Sequence, residues 1–415
     1  MKTQKAYRIY LLISFLLNGF YWMNFSVDSV YFVVTAQLDP LQLVLVGTAL
    51  EVAVLLFEVP TGIVADLYSR RLSTIIGFLL IGVGFIIQGA FAFFVPILLA
   101  QIVWGLGHTF TSGAIEAWIT DEIGEENAGP AFLKGAQYSR IGGMLGIAGG
   151  TLLGLISLRL PVLVSGGLIA LLGVLMMLIM PEDNFHPAKR EEMHTFQNMM
   201  HTYKQGMGML KVRPILISIL AIGFFYGLYS EGFDRMWVAL MLEKFTFPLW
   251  QPVVWFGLIS MAEQGLSAWA LNWVNKRLDF TGTRGLIKAL LIASAALSLA
   301  MALFAYSGWL GLAVALLVII AVLRNVIYPL HTAWVNRKLE PGVRATMLSI
   351  SGQVDAIGQI AGGPGVGMIG QRVSMSAGIL TSALLLTPVL GLLARQFVKN
   401  TEDTAAEAAA REQVS

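Results

Sequence analysis

Two stretches of this chain repeat one another. "AWITDEIGEENAGPAFLKGAQYSRIGGMLGIAGG" runs from Ala117 to Gly150, and "AWVNRKLEPGVRATMLSISGQVDAIGQIAGG" runs from Ala333 to Gly363. The shared "AW" and "IAGG" come into register with one three-residue gap, and the offset of about 216 is half the chain. A duplication of that size predicts two halves of like architecture. The composition says in which solvent they fold. Of 415 residues, 56% are hydrophobic and only 13% charged, with a mean hydropathy of +0.73. Soluble domains carry about 25% charged residues, so the chain has too little polar surface to dissolve and falls in the membrane class. A net charge of +2 gives nucleic acid nothing to bind, and the absence of cysteine removes disulfides, thiolate nucleophiles and thiolate-held metals. The first apolar segment is long and lacks an A-x-A-like end, so it is expected to stay as a span.

A bilayer core of about 30 Å takes roughly 20 apolar residues per helix. On that measure twelve spans are predicted, at 8–36, 41–66, 72–94, 96–118, 131–156, 160–181, 214–242, 249–275, 285–306, 309–333, 344–370 and 373–396. The fold class is therefore all-α: a six-helix half over 1–181, a linker over 182–213, a second six-helix half over 214–400 and a tail over 401–415. Lys and Arg set the orientation. With both termini in the cytoplasm, 21 of the 27 fall on the inner side and only Arg159, Lys244 and Arg372 on the outer. In the linker, Phe196, Met199, Met200, Tyr203, Met207 and Leu210 recur at helical spacing, which predicts an amphipathic helix on the inner leaflet. His186, His194 and His201 lack the spacing of a metal site, and no cofactor motif is present: there is no H-E-x-x-H, G-x-S-x-G or P-loop. An enzyme is not expected, nor ATP-driven transport.

Between spans 2 and 3 the chain reads "GIVADLYSRR", Gly62 to Arg71. Asp66 stands at a helix end beside the low-dielectric region, and Arg70 is four residues on, within helical reach if the turn continues. A guanidinium fork suits a carboxylate better than an ammonium does. With twelve spans, a 6+6 repeat and this loop, the chain resembles a major facilitator superfamily transporter over nearly its whole length. The family's loop reads roughly G-x-x-x-D-R-x-G-R-R; Gly62, Asp66, Arg70 and Arg71 match, with Leu67 and Ser69 in place of Arg and Gly. The resemblance implies a cytoplasmic gate made of Gly62, Asp66, Arg70 and Arg71, joined by Glu116 and Asp121. Two further family motifs depart. Gln101 of "QIVWG" stands where proton-coupled members often carry Arg, and "GIAGGTLLG" (Gly146, Gly150, Gly154) has Thr151 where drug/proton antiporter-type exporters carry Pro. Small residues at that spacing also let helices approach closely.

Ionisable residues inside spans mark pathways or pairs. Here they are Asp28, Glu51, Glu58, His108, Arg140, Glu231, Asp234, Arg235, Glu263, Arg324 and Asp355. Glu51, Glu263 and Asp355 fall near mid-span. A carboxylate without a partner there favours its protonated form, so these are candidate proton carriers. The expected pairings are Arg235 with either Asp234 or Asp28, and Arg140 with Asp355. Glu58 lies in "FEVPTG", read as a kinked inner half of span 2. Tyr21 and Trp22 in span 1, and Phe225 and Tyr229 in span 7, lie among aromatic neighbours that can line an apolar cavity. Aromatic walls with a few carboxylates suit lipophilic or cationic molecules. The expectation is a monomeric, multi-pass secondary transporter of the inner or plasma membrane that rocks between two open states and exports amphipathic or drug-like molecules in exchange for protons. The alternatives are uptake or exchange of a small anionic metabolite on Arg140 and Arg324, and a non-transporting receptor or scaffold on the same fold.

Overall fold

The computed structural model describes residues 2–187, 214–277, 283–338 and 341–412. The amphipathic helix expected in the linker, with His194 and His201, lies outside the described residues. Among those residues ten helices are long and apolar enough to cross a membrane. Two more, Pro252–Arg277 and Pro341–Arg372, have 26 and 32 residues and complete the twelve spans. These two are less apolar because they carry polar cargo: Glu263, Gln264 and Asn272 in span 8, and Arg344, Gln353, Asp355 and Gln359 in span 11. The protein is an all-α membrane protein with two six-helix repeats.

Contacts divide the chain into one unit of Met1–Asn198 with Thr246–Met261, and a second of Met199–Phe245 with Ala262–Ser415. The segment Thr246–Met261, expected in the second half, thus groups with the first. Inside the first unit, span 1 (Thr3–Thr35) packs along span 5 (Glu125–Ile156), and span 3 (Arg70–Ala90) lies between span 4 (Phe94–Ile123) and span 6 (Arg159–Ile179). In the second unit, span 7 (Pro214–Lys244) packs along span 11, and span 9 (Thr283–Ala305) meets span 10 (Leu310–Lys338) and span 12 (Met375–Lys399). The pairings repeat because the sequence does.

Glycine spacing sets how closely the long pairs approach. A Cβ on Gly142 or Gly146 would stand 2.1 or 2.0 Å from the carbonyl oxygens of Phe15 and Gly19. In the other unit, Gly358 and Gly362 meet the carbonyls of Phe224 and Leu228 at 2.2 and 2.1 Å on the same measure. Each pair is four apart, one helical turn, so both stand on one face. This register corrects the alignment with a gap. Spans 5 and 11 begin at 125 and 341 and end at 156 and 372, both 216 residues apart, so the helices correspond without an insertion. The repeated "IAGG" strings are slipped by three against that register. What aligns the helices is the set of glycines that face a partner carbonyl.

Candidate functional site

Where spans 2 and 3 join, the helix of span 2 ends at Leu67 and Ser69 is extended. Ser69 Oγ accepts the Leu72 N–H at 2.8 Å and caps span 3. The turn therefore does not continue from Asp66 to Arg70, and the expected helical pair is replaced. The Arg70 guanidinium donates to the Asp121 carboxylate and, at 2.7 Å, to the Ala117 carbonyl, while Asp66 is exposed. Arg71 donates to the Met177 carbonyl at 2.5 Å. Gly62 has nothing within 4 Å of a Cβ position, and Glu116 is exposed. The start of the linker joins this cluster. Glu182 accepts from Ser69 Oγ at 2.6 Å and from the Arg71 N–H at 2.9 Å, and buried Glu122 accepts the Asp183 and Asn184 N–H groups at 2.8 and 2.9 Å.

A prediction follows for Arg70. In a double-mutant cycle on thermal stability, Arg70→Lys and Asp121→Asn should couple by about 1 kcal/mol, a modest figure because the side chains are 20% and 26% exposed. Arg70→Lys and Asp66→Asn should add independently. Additive effects for Arg70 with Asp121 would show that the contact carries no energy.

Deeper in the first unit, Tyr21, Phe25, Phe85 and Trp104 form four rings in mutual contact, with centroids 5.5 to 6.4 Å apart. Phe25 is 37% exposed, so the cluster offers a face rather than a cage. Gln101, where the family often has Arg, fixes the orientation of Trp104. Its Oε1 accepts the Trp104 indole N–H at 2.7 Å, its Nε2 donates to Gln88 Oε1 at 2.9 Å, and Tyr31 donates to the Gln88 carbonyl at 2.6 Å. Trp22 lies instead against Gly143, 2.9 Å from where a Cβ would stand. Asp28 and Glu51 are half-buried and each engages a partner; Arg140 is exposed on span 5.

In the second unit, span 7 delivers Glu231, Asp234 and Arg235. The expected pair of neighbours, Asp234 with Arg235, does not form, because adjacent residues on a helix point about 100° apart. Residues four apart align, and Arg235 Nε donates to Glu231 Oε1 at 2.8 Å. Asp234 takes Arg324 of span 10 in a two-pronged pair, with Nη2 to Oδ2 at 2.7 Å and Nη1 on the other oxygen. The Arg324 guanidinium also lies over the rings of Tyr229 and Phe233, 5.8 and 6.0 Å from their centroids. Glu263 of span 8 and Asp355 of span 11 both feel the charges of Arg324 and Asp234, and Asp355 accepts from Gln359 Nε2 at 2.9 Å. Phe225 packs edge-on against Phe224, and Tyr226 hydrogen-bonds Ser294 at 2.8 Å while its ring meets His331 at 5.7 Å.

A family profile described as Major Facilitator Superfamily matches residues 11–363. The chain belongs to the major facilitator superfamily. It is similar to the uncharacterized MFS-type transporter YxaM of Bacillus subtilis (strain 168), 26% identical over 384 residues that cover 90% of this chain and 92% of that one. Among solved structures, the nucleoside transporter NupG superposes with a TM-score of 0.75 at 16% identity, covering 95% of this chain and 99% of its own. A bacterial homolog of the human lysosomal transporter Spinster, inward-facing and unoccupied, gives 0.73 at 15%, over 96% and 98%. At such identities the structures speak for the fold alone. Membership of the family makes the chain a secondary membrane transporter.

In sequence, Phe85 and Trp104 do not differ from ordinary residues of a lipid span, and His331 sits in a polar-rich helix end that carries no motif. A lone Gln in an otherwise apolar helix, as in "GFIIQGA", is the signal that marks Gln88.

Proposed function

We propose that this superfamily member couples transport to protons and exports amphipathic or drug-like molecules, with the proton carried in the second unit. The supporting observation is the charge count around Arg324. Three carboxylates, Asp234, Glu263 and Asp355, share the field of one guanidinium, and Asp234 already occupies its fork. Two acidic groups therefore stand in membrane spans beyond charge neutrality, and a proton on one of them halves the excess. Glu51 is its counterpart candidate in the first unit. The aromatic face of Phe25 and Trp104 suits a lipophilic or cationic substrate. Rocking of the halves, with the Arg70 cluster as inner gate, supplies alternating access.

The test is a substrate panel on inverted vesicles with an acid interior. Lipophilic cations should accumulate only while the gradient lasts, and Glu263→Gln should abolish the dependence while leaving folded yield intact. Accumulation that ignores the gradient would overturn the coupling. A second reading, exchange of a small anion, draws on the exposed guanidinium of Arg140. It is weakened at its other half, because Arg324 is neutralised by Asp234. Uptake of anions alone, lost in Arg140→Gln, would establish it.

A further inference from the structure

Span 4 is broken in the middle of the first unit. Its first helix ends at Thr111, its second begins at Ala114, and Gly113 between them has φ +70, a left-handed conformation that favours glycine. A break inside a span frees backbone groups that lipid cannot satisfy. Here they are met from within: the Ser112 N–H and the Thr111 hydroxyl both reach the His108 carbonyl, at 2.9 and 2.8 Å, and Ser73 of span 3 donates to the Phe110 carbonyl at 2.7 Å. The consequence is that Ser112 leaves the helical path and its hydroxyl donates to Glu58 Oε1 of span 2 at 2.9 Å. His108, on the last turn before the break, feels the charge of the same carboxylate and packs edge-on against Trp104 at 6.1 Å.

Glu58 is half-buried, and among the described residues no Lys or Arg pairs with it. The helix of span 2 runs through Pro60 as one piece, so Glu58 is held inside a continuous helix and not in a loop. The charged and titratable groups around it are few. Span 4 brings His108. Span 3 brings Arg70 and Arg71 only at its inner end, where both are engaged with Asp121 and Met177. On span 2 itself, Glu51 and Asp66 lie about two turns away on either side.

We propose that Glu58, Ser112 and His108 form a second proton-binding site, inside the first unit and separate from the Asp234–Arg324 cluster. Empty, the site holds one negative charge, on Glu58, with neutral imidazole beside it. One proton added to the free carboxylate oxygen of Glu58 makes the site neutral overall; no other bond breaks, and the Ser112 O–H continues to donate to Oε1. His108 lies close enough to feel the Glu58 charge, so replacing it changes the field in which the carboxylate takes up its proton. The use of this site in transport rests on the proton-coupled reading; the binding of the proton does not.

The test is infrared difference spectroscopy after a pH jump on the full chain in lipid vesicles. Glu58→Gln should lose one carboxylic C=O band that wild type shows. Ser112→Ala should keep that band but shift it, since a hydrogen bond to the group is gone, and His108→Gln should move the pH midpoint at which it appears. Asp234→Asn should leave it in place. If Glu58→Gln is poorly folded, Glu58→Asp serves, with a shifted band expected. An unchanged set of carboxyl bands in the Glu58 variants overturns the proposal, as does a Glu58 band that ignores both Ser112→Ala and His108→Gln. A band that behaves as expected in a protein without gradient-driven flux would sustain this site while the coupled-transport reading fails.

Discussion

Arg324→Met should abolish transport and lower the yield of folded protein severalfold, while Arg324→Met combined with Asp234→Asn should recover the yield and not the transport. Removing the guanidinium leaves the Asp234 carboxylate in a span with neither of its two hydrogen bonds. It also leaves Glu263 and Asp355 without the positive charge whose field they share with Asp234. An unpaired ionised group near the middle of a span costs about 2.5–3.5 kcal/mol on insertion scales. The upper end does not apply here, because the two side chains are 29% and 39% exposed. Neutralising Asp234 at the same time removes most of that cost, since deleting both partners of an ion pair is milder than orphaning one. Transport stays lost because the fork that Asp234 and Arg324 share is gone from the proposed proton path. Fluorescence-detected size-exclusion yield and flux in vesicles separate the two effects. A single variant that folds and transports like wild type would mean the pair is incidental. A double variant no better folded than the single would mean that the stacking of Arg324 on Tyr229 and Phe233, rather than its charge, stabilises the unit.

Residue types were easier to read in the sequence than their partners. Apolar length, the repeat and the loop after span 2 are enough for twelve spans and the superfamily resemblance, because the thickness of the lipid core imposes a minimum apolar length on every span. The charged residues in spans could be identified by rarity alone, and Asp234, Arg324, Glu263 and Asp355 do fall together. Pairing was less legible, since it depends on side-chain direction and on breaks that single residues make. Asp234 and Arg235 are neighbours in sequence yet point apart, and each finds its partner elsewhere. Arg70 and Asp66 have the spacing of a helical pair, but an extended Ser69 interrupts the turn between them. Gln101 read as a missing charge, whereas its work is to hold Trp104. Glu58 stands in sequence beside the proline of "FEVPTG", whereas its partner Ser112 is presented by a break 54 residues later. Strings of small residues misled in a different way: "IAGG" matched by letter, but contact register follows the face of the helix, not the string.

The second large effect concerns those glycines. Gly146→Val should prevent the first unit from folding, and Gly362→Val should do the same for the second. A Cβ at these positions would lie 2.0 and 2.1 Å from a backbone oxygen of the neighbouring helix, where ordinary contact begins beyond 3.4 Å. The listening partner is backbone, so no side chain can swing away; the two helices must part by more than an ångström along much of their length. Inserting bulk into a packed contact costs about 1–3 kcal/mol when side chains can adjust, and here they cannot, so the upper figure is a floor. The separation also forfeits the close helix packing that stands in for hydrophobic driving force inside lipid. Alanine at Gly167 or Gly352 provides the control, because nothing lies within 4 Å of a Cβ at either, and both variants should keep wild-type yield and thermal midpoint within about 1 kcal/mol of helix-propensity effects. Gly146→Ala should fall between control and valine, since one methyl already meets the oxygen. If Gly146→Val and Gly362→Val fold with wild-type midpoints, the backbone approach is not what joins the long helices, and the ungapped register of spans 5 and 11 loses its physical basis.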